Sequence, residues 1–370
     1  MKLAIVADTH FGHAKWGEDA FLQGKAAILE AAEKADALIL AGDIFDSATP
    51  SLNALSEFAS LLRQASVPVL AIHGTHEMRP KGQANPIQFM HSAGLLVNIH
   101  QNRQVLERDG QKIAITGMGG VPENYVREAL KKSNFSPLPN HFNVFVFHQS
   151  LSEFIPNGKE EFISFEELPA GFDLYVCGHV HKSQFAFDGK LIIPGSTVIT
   201  QMRKEEEGAK GYVVYDTLLK KGEFFPIIAR PFHFVSLSFV NAQPEEVANA
   251  VKKEVERIVA NEKEKPIIRI VLSGSMREGL VQGDVSFQKF EQAFVFVENS
   301  LSSKTLAARV EALRQNRAGK MSAVKMGLEV LRIQLEGCGV DAEELEGLLD
   351  KLAQGEEVEL EKHLRFKKKS

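Results

Sequence analysis

Short apolar runs, each closing on a polar side chain, alternate along the chain with stretches in which apolar residues recur three or four apart. LAIVA at 3–7 and ALILA at 37–41 are short and rich in Leu, Ile and Val, which reads as buried strands. Between them Phe21, Leu22, Ile28, Leu29 and Ala32 share one helical face, predicting a helix over 19–35. The alternation continues with a helix at 52–65, a strand at 67–72, a short helix at 87–93 and strands at 95–99 and 113–116. Strand and helix in alternation predict right-handed crossovers that cover a sheet on both faces. After an Asn- and Pro-containing loop at 134–140, VFVF (144–147) and DLYVC (173–177) are again strand-like. QFAF, KLIIPG and GYVVYD then follow as short β-runs separated by turns, suggesting hairpins. The fold class is therefore α/β, a layered α/β sandwich with a mixed sheet.

Around Pro231 the pattern resets. Strands at 235–240 and 267–272, helices at 244–259 and 287–294, and a strand at 294–297 predict a small second α/β unit. From Ser303 the sequence reads as charged helix, with Asp341 and Glu344 forming a capping box ahead of a leucine-rich segment. The expected division is 1–230, 231–300 and 303–370, the last a helical region. Leu328, Leu331, Leu335, Leu345, Leu348, Leu349 and Leu352 recur at helical spacing there and are candidate anchors for a groove-binding helix.

Composition narrows the class. With 370 residues, 44% of them hydrophobic and 25% charged, the chain can build a large core and is not a disordered or fibrous sequence. No apolar run approaches the roughly 18 residues that span a bilayer, so a protein without a membrane span, in the cytoplasm, is expected. Cys177 and Cys338 are too few for a disulfide framework or a cysteine zinc site. The net charge of −5 is not a basic footprint, although a local groove of Lys and Arg, or bound metal ions, would still serve a phosphate ligand.

Histidine changes the picture. Ten of the twelve fall before residue 182, and most of those follow short strand-like runs. Five motifs stand out: Asp8-x-His10, Gly42-Asp43-x-x-Asp46, Gly74-Thr75-His76-Glu77, His148, and Gly178-His179-x-His181. Each follows a predicted strand, so all five would emerge at the carboxyl ends of strands, where sites form in open α/β sheets. Mixed imidazole and carboxylate ligands suit Mn, Fe or Zn better than Mg. Two such ions about 3.5–4 Å apart can clamp a phosphodiester and generate hydroxide beside it. His13, His73 and Cys177 flank the motifs and read as structural.

These motifs resemble the pattern of the calcineurin-like metallophosphoesterase family, and four of the five match it in full. The third departs, because Thr75 stands where the family has a metal-binding Asn. Asp8-Thr9-His10-Phe11-Gly12, the Gly42 to Asp46 segment with Pro50 following, and Pro194-Gly195-Ser196-Thr197 followed by Lys210-Gly211-Tyr212 are similar to the DNA double-strand-break repair nucleases of that family. That branch includes bacterial SbcD and the nuclease subunit of the archaeal MRN-type complex. The resemblance implies Asp8, His10, Asp43 and His181 around one divalent ion, taken as Mn, and Asp43, His148 and His179 around a second, with Thr75 in the departing position. It implies His76 as the residue that assists the leaving oxygen, and Asp46 beside it on the substrate side. It further implies 3'-5' exonuclease and single-strand endonuclease activity on DNA, with a capping, DNA-binding domain at 231–300. A homodimer, an SMC-like coiled-coil ATPase bound through the C-terminal helices, and a nucleoid-associated, prokaryotic-type location complete that implication. A small-nucleotide phosphodiesterase or phosphatase, and a DNA-binding scaffold subunit impaired by Thr75, remain open as alternatives.

Overall fold

The computed structural model describes residues 1–155 and 162–303. The leucines from Leu328 to Leu352 lie outside the described residues. The chain runs β1 (Lys2–Val6), α1 (Gly17–Lys34), β2 (Ala37–Ala41), α2 (Leu52–Leu62), β3 (Val69–Ile72), α3 (Pro86–Ser92) and β4 (Val97–Asn98). It continues with β5 (Asn102–Arg108), β6 (Gln111–Met118), α4 (Val126–Ser133), β7 (Phe142–His148), β8 (Leu174–Gly178), β9 (Gln184–Ala186), β10 (Leu191–Ile193), β11 (Gly211–Asp216) and β12 (Lys221–Pro226). The remaining elements are β13 (Phe232–Ala242), α5 (Pro244–Val259), β14 (Ile267–Met276), β15 (Phe294–Asn299) and β16 (Ser302–Ser303).

Two six-stranded sheets, ordered β12-β11-β1-β2-β3-β4 and β5-β6-β7-β8-β10-β9, form the centre. Each is mixed: β1, β2, β3 and β4 pair in parallel, as do β6, β7, β8 and β10, while β11 pairs antiparallel with β1 and the edge hairpins β11–β12, β5–β6 and β9–β10 are antiparallel. The period-2 alternation of strands explains why nearly every residue of β1 is buried: Leu3 and Ile5 face the second sheet, and Ala4 and Val6 face the helices. Ile39, Leu70 and Ile72 of the first sheet meet Ile115, Val144, Val146 and Val176 of the second in one buried cluster. Outside the first sheet, Phe58 of α2, fully buried, packs its ring 5.3 Å from Phe11 and 5.1 Å from Phe45. Beyond the second sheet α4 contributes Val126 and Leu130 to a cluster with Phe145 and Phe147. The result is helix, sheet, sheet, helix.

By their contacts the described residues form two compact units, one within 1–235, 255–269 and 290–296, the other within 236–254, 270–289 and 297–303. In the first, Asp19 pairs with both guanidinium arms of Arg230, and Trp16 meets the rings of Phe294 and Phe296 edge-on at 5.2 and 6.2 Å. In the second, Val247 and Val251 are buried, and Ser300 donates to the Leu272 carbonyl at 2.9 Å. No helix among the described residues is long and apolar enough to cross a membrane.

Some local expectations need correcting. The helix expected at 287–294 is absent: 285–290 carries no regular structure, and Phe294 opens β15. Phe294 and Phe296 both reach Trp16, a period of two that a helix cannot supply. The strand expected at 95–99 shrinks to Val97–Asn98, because Gly94 and Leu95 instead close the end of α3 by donating to His91 and Met90. Strand β5 and helix α4 had no counterpart in the reading of the sequence. The hairpin signal for β5 is nonetheless present at Asp109-Gly110, both with positive φ (50° and 74°), as a type I′ turn requires.

Where the two sheets converge, the rings of His73 and His100 lie 4.4 Å apart, both largely buried. The Gly119 N–H donates to His100 Nδ1 at 2.8 Å, whereas His73 Nδ1 has no partner. Burial pushes both imidazoles down, His73 to about 3, with the neighbouring His100 charge adding to it. A histidine whose native value lies below the ordinary 6.5 binds its proton more readily in the unfolded chain. The stability it contributes is complete above that value and is lost as pH falls toward the native one. Denaturant midpoints should therefore fall between about pH 7 and about pH 5, and His73→Phe should flatten that fall. An equal acid response in both forms would contradict this account.

Candidate metal centre

Parallel strands deliver the chemistry to one rim. Asp8 and His10 follow β1, Asp43 and Asp46 follow β2, Thr75 and His76 follow β3, His148 ends β7, and His179 and His181 follow β8. The backbone turns sharply there: Asp8, His10, Asp43 and His179 all have positive φ (53°, 47°, 47° and 79°). L-residues rarely hold this region, and such strain persists where surrounding structure over-determines it. Cross-links between the loops supply that determination. Asp8 N–H donates to Gly42 O at 3.0 Å, His10 N–H to Asp43 O at 3.1 Å, and His179 N–H to both oxygens of the Asp8 carboxylate at 3.1 Å. His76 N–H donates to Asp43 Oδ1 at 2.9 Å. Gly74 and Gly178 are needed for space, since a Cβ on the first would collide with Asp43 and on the second with the Ala41 carbonyl and His148.

Among the described residues three groups of donor atoms result: Asp8 with His10 and His181, Asp43 with His148 and His179, and, on the more exposed side, His10 with Asp46 and His76; the first two are the buried pair. Their tautomers can be read from what the other ring nitrogen does. His148 Nδ1 lies 2.8 Å from the Ala41 carbonyl, which can only accept, so Nδ1 carries the proton. His10 Nδ1 faces Asp46 Oδ1 and His181 Nδ1 faces Glu206 Oε1, each at 3.0 Å, with the same consequence. In all three rings Nε2 is therefore the nitrogen turned into the cluster, a lone pair once no proton sits on it. His10 Nε2 is buried without a hydrogen-bond partner, and His148 Nε2, also buried, lies 3.1 Å from Asp43 Oδ2. A lone pair against a carboxylate oxygen needs a positive charge between them, either a proton or a metal ion. The donor set fits divalent ions of the Mn, Fe or Zn type.

The electrostatics agree. Burial pushes the Asp8 carboxyl up to about 7. Burial also acts on Asp43, but the charge and hydrogen bond of His148 outweigh it and hold that carboxyl far below the usual range. Conversely, burial would lower His148, and Asp43 overrides this and lifts it to about 9. The protein thus retains a proton between Asp43 and His148 where a cation would displace it. His179, buried and beside His148, is pushed down to about 3 and is neutral.

The remaining predicted residues surround this pair of groups. His76 is the accessible one, its side chain 45% exposed, with Nδ1 3.0 Å from the Asp46 carbonyl and its ring centroid 4.9 Å from that of His10. Asp46 stands between the two histidines, and Thr75 turns its hydroxyl to Asp43 Oδ2 at 3.3 Å. His13 accepts at Nδ1 from the Lys15 and Trp16 N–H groups, holding the loop after His10. Cys177 is buried, and burial raises its thiol. The sequence motifs assign no role to Glu77, Glu206 or Lys210. Glu77, fully buried, accepts from Phe45 N–H at 2.8 Å and Gly74 N–H at 2.7 Å and ties the loop after β2 to the loop after β3. Its place directly after His76 was the only signal for it.

Residues 1–183 match the model of the calcineurin-like phosphoesterases. The chain is 32% identical over 201 residues to the DNA double-strand break repair protein Mre11 of Methanopyrus kandleri, a match covering 49% of this chain and 44% of that protein. It is 24% identical to the Mre11 protein of Sulfolobus acidocaldarius over 99% of this chain and 98% of that one. The Mre11 protein of Sulfurisphaera tokodaii is 28% identical, over 73% and 72% of the two chains.

Gly178→Ala should displace the His148 ring and weaken Mn uptake by about 10–100-fold, the usual range when the support of a ligand is disturbed. Calorimetric titration checks this, and unchanged affinity would show that the rim tolerates a Cβ there.

Proposed function

Residues 1–183 place this chain in the calcineurin-like phosphoesterase family as a metal-dependent phosphodiester hydrolase, and from that premise we propose that it is a DNA nuclease of double-strand-break repair. The observation that carries the reading is the pair of donor groups at one rim with three Nε2 atoms turned inward. The likeness to Mre11 proteins, which in one case runs the length of both chains, supports DNA as the substrate.

In this reading Asp8, His10, Asp43 and His181 hold one ion and Asp43, His148 and His179 the other. When bound, two Mn ions would polarise the scissile phosphate and lower the pKa of a water beside it. The chain's own residues do the rest. Asp43 belongs to the second group and its charge also acts on Asp8 of the first, so in this reading its carboxylate serves both. Asp46 accepts from His10 Nδ1 and fixes that ring. The Asp46 carbonyl accepts from His76 Nδ1, leaving His76 Nε2 to carry a proton toward the leaving oxygen. Its exposure suits a group that meets substrate, and the buried histidines around it suit ligands. Residues 231–300 would cap the site and bind DNA. Residues 303–370 would bind a coiled-coil ATPase, and the active form would be a homodimer at the nucleoid.

His76→Ser should leave Mn affinity nearly intact and cut turnover on DNA by about 10²–10⁴, the range for losing a general acid. A collapse of metal affinity would make His76 a ligand instead. The Thr75 hydroxyl is already spent on Asp43, and a hydroxyl is a weaker ligand than an Asn carbonyl. Thr75→Asn should therefore lower the Mn concentration needed for activity; equal requirements would show Thr75 to be an adequate substitute. Oligonucleotide and plasmid assays with Mn test the function itself. Hydrolysis of small phosphodiesters without any cleavage of DNA would favour a small-nucleotide enzyme, and Mn-dependent binding of DNA with no hydrolysis at all would favour a scaffold subunit.

A further inference from the structure

The segment between β10 and β11 contains the Pro194-Gly195-Ser196-Thr197 and Lys210-Gly211-Tyr212 motifs, and the metal centre as described leaves it without a task. Its buried charged groups are Glu206 and Lys210, each 4% exposed. Glu206 is fully engaged. Its Oε1 lies 3.0 Å from His181 Nδ1 and accepts from Thr200 N–H at 3.1 Å, and its Oε2 accepts from Gln201 N–H at 2.8 Å and Arg203 N–H at 3.4 Å. Lys210 Nζ donates to Ser196 Oγ at 2.9 Å, and Ser196 N–H donates to the His181 carbonyl at 3.1 Å. One end of the segment therefore grips the backbone of His181 and the other grips its ring.

Resting on the metal-centre reading above, we propose that Glu206 is a positioning residue that locks His181 in the Nδ1–H tautomer and so presents Nε2 to the ion shared with Asp8. An ionised carboxylate only accepts, so the ring nitrogen facing it must donate. Thr200 Oγ1, also 3.0 Å from Nδ1, cannot impose this choice, because a hydroxyl can either donate or accept. Only with Nδ1 protonated is Nε2, 3.8 Å from Asp8 Oδ1, a lone pair. His148 obtains the same result from a backbone carbonyl, which no substitution can remove; His181 depends on a side chain. The dependence can be tested.

Glu206→Gln is the informative change, because an amide has one accepting and one donating end. The N–H groups of Gln201, at 2.8 Å the shortest of these contacts, and Arg203 claim the accepting end against the single N–H of Thr200 at 3.1 Å, which turns the NH2 toward His181. Nδ1 must then accept, and the proton moves to Nε2, where it blocks ligation. Mn titrated into the chelator-treated full-length chain should bind about 10–100-fold more weakly at one site in the Gln variant, the range for lost outer support of a ligand. Glu206→Asp, which still only accepts, should retain more of the affinity, and Thr200→Val should retain nearly all of it. The melting midpoint, followed through the single tryptophan Trp16, should be unchanged in the Gln variant. Wild-type affinity in the Gln variant, or a Gln variant at least as tight as the Asp variant, would overturn the proposal while leaving the metal centre intact. An affinity loss that merely tracks an early melt would also overturn it, as a structural effect. A wild-type chain that takes up no Mn would overturn the metal centre itself and this proposal with it.

Discussion

The Asp43 carboxylate is the point on which the rim depends. Its Oδ1 accepts the His76 N–H, and its Oδ2 meets His148 Nε2 from the second sheet and the Thr75 hydroxyl from the loop after β3. A single buried side chain thereby ties three loops and both sheets together. The cost is local: a left-handed backbone at Asp43, and glycine at 42 and 74 because a Cβ at either would strike His148 or Asp43. Two buried carboxylates, Asp8 pushed up to about 7 and Asp43 sharing a proton with His148, form a pocket that holds protons where bound cations would displace them.

Sandwich packing makes this meeting possible. Strand β2 lies in the first sheet and β7 in the second, and the apolar faces of the two sheets bury one another. At their carboxyl ends the apolar contact gives way to a polar one, in which His148 Nδ1 donates to the Ala41 carbonyl across the layer. Gly178 leaves room for that approach. The same hydrogen bond that joins the sheets also sets the His148 tautomer, so packing and ligand chemistry are not separable at this position.

The histidines differ in what holds them. A backbone carbonyl fixes His148, whereas carboxylates, which hold an N–H more strongly than a neutral carbonyl does, fix His10 and His181. The group formed by Asp8, His10 and His181 therefore has stronger outer support than the group formed by Asp43, His148 and His179. Thr75 turns its hydroxyl to Asp43 of the less supported group. Both features weigh toward two sites of unequal strength.

The sequence by itself determined the alternation of strand and helix, the delivery of five motifs to strand ends and the identity of the chemical groups, because these depend on local periodicity and on residue type. Asp8, His10, Asp43, His148, His179 and His181 were legible for that reason. Polar edge strand β5 was not, since none of its residues is buried. Nor was α4, whose apolar face of Val126, Ala129 and Leu130 lies on a helix only eight residues long, too short to establish a period. The expected helix at 287–294 failed because Phe294 and Phe296 answer to Trp16 rather than to helical spacing. Tertiary structure alone decided the ring tautomers, the left-handed backbone at four site residues, and the parts played by Glu77, Glu206 and Lys210. Each of those depends on which group lies within about 3 Å across the fold, where a hydrogen bond either forms or fails. Glu206 stands 25 residues from His181 in the chain and 3.0 Å from it in space, and no spacing rule connects the two.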